Sequence, residues 1–121
     1  MSEKLTDFRQ LNVWQKAHKL VLEIYEITKK FPKEEKSEIV SRMRSAAESV
    51  PVNIGSGFMR REQAEKERFY KLSQEGIEKV KYYLILTKDL GMLKDNDEIL
   101  LAAMEVGRML TGLVRSAKIN S

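Results

Sequence analysis

Few residues in this chain could do covalent or metal chemistry. The 121 residues include no cysteine and one histidine, His18. Disulfides, thiolate metal sites and cysteine nucleophiles are therefore excluded, and a multi-histidine metal centre cannot be assembled. A serine–histidine triad would rest wholly on His18. A di-iron carboxylate bundle needs Glu-x-x-His pairs on facing helices, whereas His18 has Gln15 three residues before it. The run Asp95-Asn96-Asp97-Glu98 resembles the start of a calcium loop. It lacks the required glycine, since Leu100 stands at position six and Val106 at position twelve, and it reads better as a helix start. Gly55-Ser56-Gly57 is no dinucleotide fingerprint: Arg60 occupies the third glycine position and no strand signal precedes it. The many carboxylates find no partner base in the sequence. The expectation is a protein with no catalytic residues, no metal and no cofactor.

Charge is the chemistry that remains. Residues 42–71 hold seven cations, Arg42, Arg44, Arg60, Arg61, Lys66, Arg68 and Lys71, against four anions, Glu48, Glu62, Glu65 and Glu67. This quarter of the chain thus carries +3 of the total +4. Five of the seven are arginines, whose planar fork suits phosphate. Glu62 with Lys66 and Glu67 with Lys71 are spaced to pair along a helix. Arg42, Arg44, Arg60, Arg61 and Arg68 are therefore the candidate nucleic-acid contacts. No aromatic platform for stacking bases is evident beside them.

The elements that must position these residues read as helices. Trp14, Ala17, Val21, Ile24, Thr28 and Phe31 recur at steps of three and four, predicting a helix over about 12–31, opened by an Asn12–Gln15 capping box and stopped by Pro32. The second helix, about 34–56, has Glu34 and Glu35 in its first turn and a stripe of Ile39, Met43, Ala46, Val50 and Ile54. Pro51 should kink it or end it a few residues on, with the break at Gly55–Gly57. The third helix, about 62–90, lines up Phe69, Leu72, Gly76, Val80, Tyr83 and Thr87, with Gly91 as its cap. Asp95 and Glu98 open the fourth, about 96–117, with Leu100, Ala103, Gly107, Leu110, Val114 and Ala117 facing inward. No alternating β-branched run occurs. The expected fold is all-α, a single domain over residues 1–121 forming an antiparallel up-down four-helix bundle.

Two features exceed a monomeric bundle. Tyr82, Ile85, Leu86, Leu101 and Met109, with Leu22 on the first helix, fall outside the core stripes at 100° per residue, so these faces are expected to be covered by further copies. Trp14 is expected to be largely buried at the bundle end. Arg42, Ser45, Ser49, Asn53 and Ser56 form a polar flank on the second helix, either an interhelical hydrogen-bonding edge or a gripping surface. The longest apolar run, Ile99–Met104, is far shorter than the ~20 residues a membrane helix needs. The first residues carry no apolar secretory segment. The expected location is cytoplasmic, with no membrane.

Several strings then resemble a known family. They are Leu11-x-Val13-Trp14-Gln15-Lys16-Ala17; Ile24-Tyr25 with Thr28 and Phe31-Pro32; Arg44-x-Ala46; Ser49-Val50-Pro51-x-Asn53-Ile54; Gly57 and Arg60; Phe69, Gly76 and Leu90-Gly91; and Gly107-x-Met109-Leu110-x-Gly112-Leu113. Together they look like the bacterial four-helix bundle protein family, first noticed as reading frames inside intervening sequences of 23S rRNA genes and often labelled ribosomal. The chain is similar also to the accessory variability protein of diversity-generating retroelements. The resemblance implies a barrel-shaped homo-oligomer, a pentamer in that family, and a basic surface suited to RNA or DNA. It also implies a working context beside a reverse transcriptase for the retroelement members, and no catalytic residues. Arg42, Ser45 and Ser56 stand where the family usually has glutamine, arginine and an acid. Two readings follow: a sequence-tolerant nucleic-acid-binding accessory protein, or a scaffold that docks another protein such as a reverse transcriptase.

Overall fold

The computed structural model describes residues 5–32 and 36–119. A 3-10 turn at Phe8–Gln10 leads into α1 (Asn12–Lys29), α2 (Lys36–Phe58), α3 (Gln63–Asp89) and α4 (Asp97–Ile119), and no strand occurs among the described residues. Each helix packs on its two neighbours, α1 on α2 and α4, α3 on α2 and α4, with no diagonal packing among the described residues, so the cross-section is a square. Neighbours are antiparallel. Tyr25 meets Glu48, the Ser73 hydroxyl donates to the Val50 carbonyl at 2.9 Å, Gln74 reaches Thr111, and Lys16 reaches Glu105.

The entry to α1 uses different residues from those the spacing predicts. The capping box is one turn earlier: the Asp7 carboxylate accepts from the Arg9 amide at 2.8 Å, while Gln10 Oε1 accepts from the amides of Thr6 and Asp7. The Arg9 side-chain hydrogen bond, foremost, brings the pKa of the Asp7 carboxyl down to about 2. Asn12 caps nothing, because the helix begins at Asn12 itself, with Leu11 in the cap position. Gln15 Nε2 instead donates to the Arg9 carbonyl. Helix α1 ends at Lys29, and Phe31 is buried beyond it. Glu34 and Glu35 lie outside the described residues. At α4 the helix starts at Asp97, whose amide donates to Asp95 Oδ1, and the buried Asn96 side chain ties this start to the Leu84 carbonyl.

Helix α2 does not break at Gly55–Gly57 but runs through both glycines and through Pro51 to Phe58. Val50 and Ile54 are fully buried on either side of Pro51, and that packing outweighs the lost backbone bond. Neither glycine makes a turn, and Gly57 serves packing. A Cβ on Gly55 would meet the Phe8 ring at 3.5 Å, and one on Gly57 would meet the Tyr70 ring at 2.6 Å. A real left-handed glycine does occur at Gly91, with φ +78°. There the Met92 amide bonds the Thr87 carbonyl and the Gly91 amide bonds the Lys88 carbonyl, a Schellman ending for α3.

The buried face of α3 is rotated from the expected stripe. Tyr70, Ser73, Gly76, Ile77, Val80, Leu84 and Thr87 are buried, whereas Phe69 and Tyr83 are half-buried and Leu72 is exposed. The small residues set the rotation. Ser73 and Gly76 face α2, and Gly76 leaves room for Ser49, whose hydroxyl bonds the Ala46 carbonyl at 2.7 Å. Trp14 is not a core residue. It is half-buried, its ring tilted against Phe8 at 5.3 Å and stacked on His18 at 5.1 Å, because Val13 and Leu20 take the inward positions of α1. Among the residues expected to face outward, Tyr82, Ile85, Leu101 and Leu22 are exposed, while Leu86 and Met109 are half-buried against the bundle.

Two glycine substitutions test the α2–α3 seam. A Cβ at Gly76 meets the Ala46 carbonyl oxygen and Val50 at 3.1 Å, neither of which can retreat freely. Gly76→Ala should cost ~1–3 kcal/mol by thermal or urea unfolding, the usual range for overpacking. Gly112 has nothing within 4 Å, so Gly112→Ala should be neutral or stabilise by up to ~1 kcal/mol through helix propensity. Equal effects at the two sites would contradict the seam.

Candidate nucleic-acid interface

The α2–α3 connection places its cations at one end of the bundle. Arg60 and Arg61 sit in it, both exposed, with Arg68 on the second turn of α3. The connection is held tightly. The Lys66 ammonium reaches back to the last turn of α2, donating to the Phe58 carbonyl at 2.8 Å and the Gly57 carbonyl at 3.2 Å, where the helix dipole is negative. Burial there lowers the Lys66 pKa. The spacing had paired Lys66 with Glu62; the carbonyls take it instead.

An aromatic does stand beside the arginines, and the sequence spacing did not reveal it. The Phe69 ring carries both the Arg60 guanidinium, 4.6 Å from its centroid, and the Arg68 guanidinium, at 4.5 Å. Such contacts order two long side chains. Arg68 also donates to Glu65 Oε2 at 3.0 Å, which spends part of its charge. Lys71 is paired with Glu67 at 2.7 Å, as its spacing predicts. Arg60 and Arg61 make no ion pair among the described residues and are the strongest cations of the set.

The other two candidates lie elsewhere. Arg42 is two-thirds of the way down α2 from this end and is ion-paired with Glu38 one turn before it. It opens a polar groove between α2 and α3 that includes Ser45, Ser49, Asn53 and Lys79, with Glu75 opposite. Arg44 is half-buried between α1 and α2. Its guanidinium lies 4.2 Å over the Tyr25 ring and its Nε donates to Thr28 Oγ1 at 3.1 Å, while the Tyr25 hydroxyl donates to Glu48. Arg44 thus closes a polar link between two helices and does not face the basic end. The structure also brings in cations that the local run could not reveal. The antiparallel return of α4 places exposed Arg115 near this end, and Lys118 within 4.0 Å of Glu67. Only the topology connects them to Arg60.

The described residues contain no group of three or more His, Asp or Glu side chains placed to hold a metal, and no helix long and apolar enough to cross a membrane. The protein is thus an all-α four-helix protein whose distinguishing chemistry is a basic bundle end. The family model for the 23S rRNA-intervening sequence protein matches residues 9–112, nearly the whole chain. The chain belongs to that family. Its fold is also similar to a crystal structure of a protein from Bacteroides thetaiotaomicron, described as of unknown function and from the S23 ribosomal protein family. The TM-score is 0.78 at 13% identity, covering 84% of this chain and 97% of that one. No curated protein matches the chain.

The Tyr25–Glu48 link has a pH signature. The hydrogen bond to Glu48, with burial behind it, raises the Tyr25 pKa above its ordinary value of 10.0. A group whose pKa is raised on folding adds stability that is complete below the unfolded pKa and fades as pH climbs through the folded one. Stability should therefore fall above pH ~10, and Tyr25→Phe should flatten that part of the profile. An unchanged alkaline limb in the variant would assign the loss to other groups.

Proposed function

We propose that this chain is a non-enzymatic accessory protein that binds RNA or DNA through the basic end of its bundle, in the cytoplasm, with the end repeated around a homo-oligomeric ring. The observation that carries this reading is the Arg60–Arg61 pair, exposed, without an ion pair among the described residues and set on a connection that Lys66 and Phe69 hold in place. Guanidinium groups so placed bind phosphate oxygens with little ordering cost. No groove-reading helix projects from this end, so contact with the backbone dominates and recognition is tolerant of sequence. A subunit alone would bind weakly; a ring presenting several such ends gains by multivalency. The belonging to a family defined by 23S rRNA intervening sequences is consistent with a nucleic-acid context.

A protein-scaffold role, with a reverse transcriptase as one partner of the kind the retroelement resemblance implies, is the second reading. The exposed apolar side chains Tyr82, Ile85, Leu101 and Met104 favour it to the extent that they are not covered by further copies.

Arg60→Glu with Arg61→Glu should reduce affinity for RNA and DNA together, and the slope of log affinity against log salt should become shallower by about two contacts per subunit. Arg44→Gln should leave the salt slope unchanged and lower thermal stability, since Arg44 faces the α1–α2 link. A double variant that binds as the parent does, or a parent that binds neither polymer at low salt, would remove the nucleic-acid reading.

A further inference from the structure

The polar groove between α2 and α3 holds about 480 Å³ and offers a chemistry that the basic end lacks. Its α2 wall is a ladder of Ser41, Ser45, Ser49 and Asn53, about one side chain per turn. Its α3 wall carries Glu75 and Lys79. Ser49 lies against Gly76, so Lys79 stands level with Ser45, and Glu75 falls between Ser49 and Asn53. Glycine at 76 keeps the floor clear, since a Cβ there would collide with the Ser49 hydroxyl.

The groups in this groove are largely uncommitted. Glu75 and Lys79 are one turn apart in the order that favours pairing, yet neither makes an ion pair among the described residues. The Ser45 hydroxyl makes no hydrogen bond among them either. Asn53 Nδ2 donates to the Ser49 carbonyl at 2.8 Å, which leaves its Oδ1 open as an acceptor. Arg42, at the far end, is held by Glu38.

This inventory selects a ligand. Phosphate oxygens only accept, so a phosphate can use Lys79 but finds nothing in Glu75 or Asn53 Oδ1, and the carboxylate repels it. A ribose hydroxyl both donates and accepts. It can give its proton to Glu75 or Asn53 and accept from Ser45. Deoxyribose has no proton at the 2′ position, and would leave Glu75 facing a phosphate chain with nothing in return.

We infer that this groove reads the 2′-hydroxyls of an RNA chain, with Glu75 and Asn53 as acceptors and Lys79 on a phosphate. The inference rests on the nucleic-acid reading above and adds the sugar that the protein selects. A polymer fits better than a free nucleotide because the groove runs on toward the basic end. Leu72, Glu75 and Lys79 also line a furrow that reaches Arg68. Arg68 and Lys79 stand about 16 Å apart along the α3 axis, a gap that successive phosphates of one strand bridge and a single phosphate does not. The work is thus divided: Arg60 and Arg61 hold any phosphate chain, and the groove chooses between sugars.

One oligonucleotide sequence, made as RNA, as DNA and as 2′-O-methyl RNA, tests this on the intact chain. Fluorescence anisotropy at low salt should show RNA bound roughly tenfold tighter than DNA, the weight of one hydrogen bond to a charged acceptor. The 2′-O-methyl strand, which has no hydroxyl proton, should bind as DNA does. Glu75→Ala should strengthen DNA binding and close the gap to RNA. Removing a carboxylate that merely repels would raise both affinities by one factor and keep their ratio, and that result overturns the inference. Glu26→Ala, on α1, is the control that should behave in that way. Both positions are exposed, so helicity by circular dichroism should match the parent. Arg60→Glu with Arg61→Glu should weaken both polymers and keep the preference for RNA; a lost preference would place the discrimination at the basic end instead. Adenosine 5′-phosphate should not displace RNA at comparable concentration; if it does, the groove belongs to a free nucleotide and RNA is the wrong ligand. Equal binding of RNA and DNA by the parent overturns the role of the groove while the basic end stands. Binding of neither removes both.

Discussion

The close approach of α2 to α3 governs what the rest of this molecule can do. Helices normally stand 8–10 Å apart, set by the side chains between them. Here the contact is made by small residues: Gly57 under the Tyr70 ring, Gly76 against Ser49 and Ala46, and Ser73 bonding the Val50 carbonyl. The seam fixes the rotation of α3 and carries Phe69 to the position where Arg60 and Arg68 lie on it. It also brings Lys66 within reach of the open carbonyls of α2. Substituting bulk for the glycines would move the basic end and the core together.

Charge count is a poor guide to available charge. Seven cations cluster between residues 42 and 71, but the fold commits most of them. Arg42, Arg68 and Lys71 face carboxylates, Lys66 serves carbonyls, and Arg44 bridges α1 and α2. Exposed ion pairs of this kind contribute little stability, ~0–1 kcal/mol each, and can exchange a carboxylate for a phosphate when one is offered. Arg60 and Arg61 need no such exchange. The hierarchy among the arginines therefore comes from helix geometry and not from residue type.

Helix number and type are legible in the sequence because four amphipathic periods survive any local detail. The departures have physical causes. A glycine pair reads as a break when only propensity is considered, yet both lie inside α2, where the Tyr70 ring packs so closely on Gly57 that no Cβ would fit. On α3 the expected stripe holds at Gly76, Val80 and Thr87 and departs at Phe69, Leu72 and Tyr83, which count as apolar although Tyr70, Ser73 and Ile77 are what fit inward. Packing closeness, not hydrophobicity, chose the buried face. The Arg60 guanidinium over Phe69 depends on how the α2–α3 connection folds back, and Arg115 at the same end on the return of α4, and no spacing rule within one helix could supply either.

Trp14 joins these threads. A bundle of four helices with a square section has room for only small and medium side chains along its axis, and Ala17, Leu20 and Ile24 fill it on α1. An indole directed inward would force α1 away from α2 and break the Tyr25–Glu48 and Arg44–Thr28 links. Turned sideways, it costs the core nothing and presents a rigid aromatic wall to the outside.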